Sequence, residues 1–440
     1  MLRFAVSVFI CFSTIASILN SVALSEPITC SGIVPMKNRN DKVSIKDFGG
    51  VGDGKTLNTK AFQKAIDQIR KTKKTGGTVL YIPPGVYLSE TFNLTSHMTL
   101  YLAKGAVIKA TQDSENWPLT APLPSYGRGR ELPGGRYQSF IHADGVEDVI
   151  ITGDNGTFEG QGAKWWDMYK QKTLKFTRPS LIEFMNSKDI LISNLVFQNS
   201  PFWNIHPVYS SNVVVRNVTI LAPYDSPNTD GVDADSSSHV CIEDSFMSTG
   251  DDLVAVKSGW DQYGIAFGRP SSDITIRRIT GTTQFAGIAI GSETSGGIEN
   301  VYAEQLNLYN IGLAVHVKSN VGRGAFIRNI TITDVFIDGT VMAIQYGGNS
   351  GGHPDDNYDR KALPVVKGIT VKNVVGVKVE QAGDLVGLEG APYAGLCFSN
   401  ISLYSSKQNG PTSTPWTCSN VTGGSHLVKP GLCGALTSSC

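Results

Sequence analysis

The chain has 440 residues, with 38 basic and 38 acidic side chains and a formal net charge of zero. That balance argues against nucleic acid or an anionic membrane as a partner. Hydrophobic residues make up 41% and glycines number 47, a globular, glycine-rich composition that argues against a mainly helical fold.

The chain opens on MLRFAVSVFICFSTIASILNSVALSEP. Arg3 supplies a charged start, Phe4 to Leu19 an apolar core, and Ser21-Val22-Ala23 a small-residue cleavage site. The pattern predicts a secretory signal peptide over residues 1–23, with a signal anchor as the rival reading. No other long uncharged apolar run follows, so the mature chain, residues 24–440, is expected to be soluble and extracellular. Cys11 leaves with the signal. Cys397, Cys418, Cys433 and Cys440 then predict a disulfide-stapled tail over 380–440, and Cys241 in HVCIED reads as a buried free thiol on an inward strand position. Six sequons, at Asn93, Asn155, Asn217, Asn329, Asn400 and Asn420, fit a glycosylated secreted protein.

Past Asp41 a strand leads into a Gly-rich turn. Asn58 or Thr59 is placed to cap a helix with apolar residues at Phe62, Ile66 and Ile69. TVLYIPPGVYL then resumes as strand, turn, strand. From there the chain repeats one phrase, a polar residue followed by β-branched residues and a polar break: EDVIITG, KDILISNLVF, NVVVRNVTI, HVCIEDS, SDITIRRIT, IENVYAEQL, IRNITITDVF and KGITVKNVV. The phrases recur at roughly 23 to 41 residues, within the range of a solenoid. Short strands joined by Gly/Asn/Asp turns, without helices between them, predict an all-β, single-domain right-handed parallel β-helix. Its coils span about 43–379, and the helix covers the open first coil. An antiparallel sandwich would show more hairpin dipeptides.

Asp230 lies in SPNTDGVDADSS, and Asp251-Asp252 lies about one coil later in STGDDLVAVKSGWD. Coils stack about 4.8 Å apart, so equivalent turns bring their side chains together. Three carboxylates converging on one groove suit glycoside hydrolysis, which needs a protonated acid and an ionised carboxylate. Calcium binding is a second use of such a cluster, and a turn ladder bonded to its own backbone is a third. Around these acids, Lys257 reads as a partner for a substrate carboxylate or as a solvated lysine. His206 in WNIHPV is more readily a core histidine than a substrate ligand. Trp203 fits sugar stacking and core packing equally.

NTDG at Asn228, GDD at Gly250 and HVKS at His316, with SPFWNIHPV and the opening DFGGVGDGKTLNTKAF and GGTVLYIPPGVYL, resemble the polygalacturonase family, glycoside hydrolase family 28. The likeness runs from about Val43 to Val379. It implies inverting hydrolysis of α-1,4-linked galacturonan in pectin without a cofactor or metal, by a monomer. Carried over, Asp251 matches the general acid, and Asp230 and Asp252 match the pair that holds and deprotonates water. Asn228, Lys257, Glu293 and Lys318 join as substrate-binding candidates. Two departures stand out. Ala286 replaces the histidine of the family's Gly-His-Gly, and His316-Val317-Lys318 replaces Arg-Ile-Lys. Lys318 keeps the cation; His316 supplies a charge only at acidic pH. Arg323 in SNVGRG reads equally as the missing guanidinium and as a solvated turn charge. GIAIGSETSGGI, with Glu293, resembles a plant-like branch associated with exo action, which requires loops to close one groove end. The candidates are Trp117 to Tyr137 and Gly347 to Leu363. Rhamnogalacturonan or xylogalacturonan hydrolysis, a calcium-dependent pectate lyase and a non-catalytic wall-binding protein remain as alternatives.

Overall fold

The repeated phrases stack in register. In the computed structural model, which describes residues 30, 32, 38–72, 74–405, 416–436 and 440, Val149, Ile190, Val213, Val240, Ile274, Val301, Ile330, Ile369 and Leu396 pair in sequence as parallel neighbours. All nine are at most 1% exposed. Each such side chain contributes about 1.5–3 kcal/mol by leaving water, and the sum over coils sustains a fold whose neighbouring coils provide most of its contacts.

Strands stack on three faces of the coil. One face, formed by Ile141–Asp144, Ile182–Met185, Ile205–Val208, Val232–Asp235, Val254–Lys257 and Ala286–Ile290, continues into the end of the long strand Ile298–Lys318. At the bends the backbone passes through left-handed residues, which Asn and Asp tolerate best. Asp189, Asn212, Asp273, Asn300 and Asn329 hold φ of 54–59°. Their amides link successive coils: Asn212 donates to Asp189 (2.9 Å), Asn300 to Asp273 (3.0 Å) and Asn329 to Asn300 (2.7 Å).

Helix α1, Thr59–Thr72, buries Phe62, Ile66 and Ile69 and stacks Phe62 on Phe92 at 4.3 Å, as expected of a lid on the first coil. Asn58 starts it, its carbonyl accepting from Ala61 and Phe62 while its side-chain oxygen holds the Val51 N–H. Two short helices not foreseen in the sequence, α2 (Ala163–Lys170) and α3 (Asp261–Phe267), lie in loops on the groove side.

Three expectations change. Coils do not stop near 379: Tyr393–Ser405 pairs with Val365–Val386, and Val421–Lys429 pairs with Tyr393–Ser405. The disulfides Cys397–Cys440 and Cys418–Cys433 therefore staple the last coils themselves. Cys241 is not a free inward thiol but is bonded to Cys30. Val240 and Ile242 take the inward positions, so Cys241 must face outward, where it joins Ile150, Leu191, Val214 and Cys30 in a separate apolar cluster. The predicted signal peptide, 1–23, falls outside the described residues. Among the described residues no helix is long and apolar enough to cross a membrane.

Candidate active site

The acids sit where the chain turns onto the Val232–Asp235 and Val254–Lys257 strands. Successive coils connect there through the backbone: Asn204 N–H donates to Asp230 O (2.9 Å), Gly231 N–H to Asp252 O (2.9 Å) and Leu253 N–H to Ala286 O (2.8 Å). The glycines permit the approach, since a Cβ on Gly231 would lie 2.3 Å from Leu253 O and one on Gly250 would lie 2.0 Å from Ser226 O. Asp230 and Asp252 thus occupy equivalent positions one coil apart, and Asp251 stands beside Asp252. One carboxylate oxygen from each lies within 4.8 Å of the other two.

Their environments separate their charges. Asp252 is buried, which alone would favour its acid form, but Lys318 Nζ donates to Oδ2 at 2.5 Å and Ala286 N–H to Oδ1 at 3.0 Å. Lys318 and Lys257 hold its pKa below the ordinary value. Asp251 is raised to about 6 by burial and by the Asp252 charge. Asp230 is raised well above the usual range by burial and by Asp251 and Asp233, and its Oδ1 has no partner among the described residues. Both line the groove, but Asp251 is partly exposed and Asp230 only 3% so, which makes Asp251 the proton-bearing carboxyl more open to a bound substrate. Asn228, itself held by Arg178, donates to Asp251 Oδ2 at 3.3 Å.

The groove over these acids encloses about 490 Å³ and is lined further by Asn228, Lys257, Glu293, Lys318, Arg130 and Trp260. Lys257 lies 3.1 Å from Glu293 and 3.7 Å from Asp233. Glu293 is fully buried; against the cost of burial, Arg130 and Lys257 keep it ionised. The three carboxylates could gather a cation by distance alone, but the Lys318 ammonium already neutralises Asp252.

Three candidates take other places. His206 lies outside the groove lining, 1% exposed, between Glu183 (3.0 Å) and Asp235 (3.4 Å). Burial pulls its pKa down, but those two carboxylates win and raise it to about 9. Trp203, 5% exposed, packs edge-on against it at 4.8 Å. His316 is pushed down to about 4 by burial and by Lys318, so it brings no charge to a substrate carboxylate in the mildly acidic range where that role was expected. Arg323 is neither a groove guanidinium nor a solvated charge. It is fully buried, pairs with Asp261, and donates to Ser292 O and Gly352 O, both at 2.7 Å. Ala286, at the family's histidine position, contributes its N–H to Asp252 rather than a titrating side chain.

Sequence reasoning missed Arg130, Trp260 and His353. The signal for the first was the basic run YGRGREL inside a loop singled out only for its length. The loop 117–137 meets the loop 347–363 through Arg128 Nη1 on Pro354 O (2.5 Å). Trp260 Nε1 donates to Gly352 O (3.0 Å), and Tyr263 OH to Asp355 (2.8 Å). Joined in this way, the two loops bring Arg128, Arg130, Gly352 and His353 into the groove lining.

A parallel solenoid carrying three convergent carboxylates of unequal protonation on an open groove has the equipment of a polysaccharide hydrolase. Residues 127–431 match the family model for glycosyl hydrolases family 28, and residues 42–177 match that for rhamnogalacturonase A/epimerase, pectate lyase-like proteins. The chain belongs to glycosyl hydrolase family 28 and is a glycoside hydrolase of polygalacturonase type. It is 47% identical over 399 residues to a probable polygalacturonase of Vitis vinifera, covering 90% of this chain and 81% of that one. An exopolygalacturonase from Thermotoga maritima superposes with a TM-score of 0.78 at 28% identity, over 90% of this chain and 94% of that one. The fold is shared with the Erwinia carotovora polygalacturonase, at a TM-score of 0.69 and 23% identity over 88% and 97% of the two chains.

Proposed function

We propose that the protein is a secreted polygalacturonase that removes units from a chain end of the galacturonan in pectin, acting as a monomer without cofactor or metal. The observation that carries the reading is the division of charge on the groove floor. Lys318 and the Ala286 N–H keep Asp252 ionised, while burial and Asp252 keep Asp251 protonated. Asp251 gives its proton to the departing glycosidic oxygen. Asp252 takes the proton of an attacking water, and Asp230 orients that water by a hydrogen bond. Asn228, Lys257, Glu293 and Lys318 surround the substrate. The two long loops that join beside the groove support attack at a chain end, and the likeness to an exopolygalacturonase is a second support. We take the mature chain, residues 24–440, as a single domain; all six sequon asparagines lie among the described residues and are exposed, as extracellular glycosylation requires.

Two measurements test this. Polygalacturonate is expected to yield galacturonate monomer from the first time points; mixed oligomers would mean internal cleavage. Release from rhamnogalacturonan or xylogalacturonan alone would move the substrate. The second measurement is pH dependence. The value of kcat/KM is expected to fall as pH rises through about 6, because Asp251 then loses the proton it must donate. A rate that instead climbs through that pH would contradict the assignment.

A second reading concerns stereochemistry. An inverting site commonly spaces its carboxyls about 6.5–9.5 Å apart, and a retaining one about 5–5.5 Å. One oxygen from each of the three carboxyls lies within 4.8 Å of the others, a limit on the nearest oxygens rather than the spacing of whole carboxyls, and the family likeness favours inversion. Inversion would release the β-anomer first and retention the α-anomer, as read by proton NMR of the fresh product.

A further inference from the structure

The groove holds a cation that the mechanism does not use. Arg130 reaches over from the loop 117–137, its guanidinium 4.4 Å from the Trp260 ring centroid. Its Nε and Nη2 meet Glu293 Oε1 at 2.8 and 2.7 Å. Its side chain is 31% exposed, and Nη1 has no partner among the described residues. The other groove cations are committed. Lys318 is on Asp252, and Lys257 is buried on Glu293. Arg128 spends its donors on the carbonyls of Gly129, Glu131 and Pro354.

Lys257 and Arg130 share one carboxylate, Glu293. A second acid near Lys257, Asp233, is fully buried, and neither of its oxygens has a hydrogen-bond partner among the described residues. Burial raises Asp233 to about 7 despite Lys257, so at lower pH Glu293 is the ionised carboxylate that both cations meet within 3.1 Å, and the exposed part of this cluster is the open side of Arg130. An incoming carboxylate would give Arg130 an anionic partner of its own, and a guanidinium braced against an indole presents the fork that a planar carboxylate fits.

We infer that Arg130, held by Glu293 and Trp260, is the receptor for a substrate carboxylate and sets the preference for free uronate over its methyl ester. The inference rests on the galacturonan reading. It gives the loop a recognition role besides obstruction, and it assigns the guanidinium that Arg323 does not provide.

The test compares polygalacturonate with its methyl-esterified form. Arg130→Gln is expected to lower kcat/KM on polygalacturonate about 10- to 100-fold, the scale of one charge-assisted hydrogen bond. On the ester it should change little, so the wild-type preference collapses. Arg130→Lys, which keeps the charge but not the fork, should fall between. Equal losses on both polymers in both variants would mean a merely structural residue and would overturn the inference, as would an unchanged preference. Wild-type protein that releases product from neither polymer would overturn the galacturonan reading itself and the inference with it.

Discussion

Asparagine in place of Asp251 is expected to lower kcat on polygalacturonate by about 10²–10⁴-fold while leaving the thermal midpoint unchanged or slightly raised. The side chain keeps its shape, and its oxygen can still accept from Asp252 N–H, now at 2.9 Å. What disappears is the transferable proton. Stability should not suffer, because the substitution also removes a carboxyl whose ionised form would repel Asp252. A variant that retains near-normal turnover would refute the role, and one that unfolds would show that Asp251 serves the fold instead.

The second large effect is expected at Arg323. Replacing it with alanine leaves the Asp261 carboxylate fully buried, with His353, at 2.6 Å, as its remaining ion-pair partner among the described residues. Breaking a buried pair from one side costs about 3–5 kcal/mol, and Gly352 and Ser292 lose their donors as well. The loop carrying Gly352 and His353 forms part of the groove lining, so on the proposed chain-end action the consequence should reach the product. Arg323→Ala is expected to lower the denaturation midpoint and to add oligomers to the monomer released from polygalacturonate. An unchanged midpoint with monomer alone would show that Arg323 holds nothing together.

Much of this was legible in the sequence because a solenoid writes its fold locally. Each coil repeats the inward Ile/Val positions and the Asn/Asp bend, so strand phrases such as KDILIS and HVCIED announce both the stacking and its register. The same regularity placed Asp230 one coil before Asp252. The pairing of Cys30 with Cys241 was hidden because the amino-terminal segment carries no repeat. Yet VII, ILI, VVV and VCI are apolar at three consecutive positions, on both faces of the strand. A run apolar on both faces needs cover on its outer side, and Cys30 packs into that outer cluster. The protonation pattern was not legible, since burial and Lys318, 66 residues beyond Asp252, decide it. Arg130 and Arg323 were misjudged for a related reason. Both are arginines in glycine-flanked loops, and only the packing of two long loops over the groove buries Arg323 while leaving Arg130 open.

The central claim, that Asp251 is the proton donor of a galacturonan hydrolase, is tested most directly by changing the leaving group. An aryl galacturonide with an acidic phenol departs without needing a proton, so Asp251→Asn should cleave it at a rate near that of the wild-type protein while remaining inactive on polygalacturonate. Asp252→Asn should lose both substrates, because the water still has to be deprotonated. Equal loss of both substrates in Asp251→Asn would contradict the account and move the proton to another member of the trio.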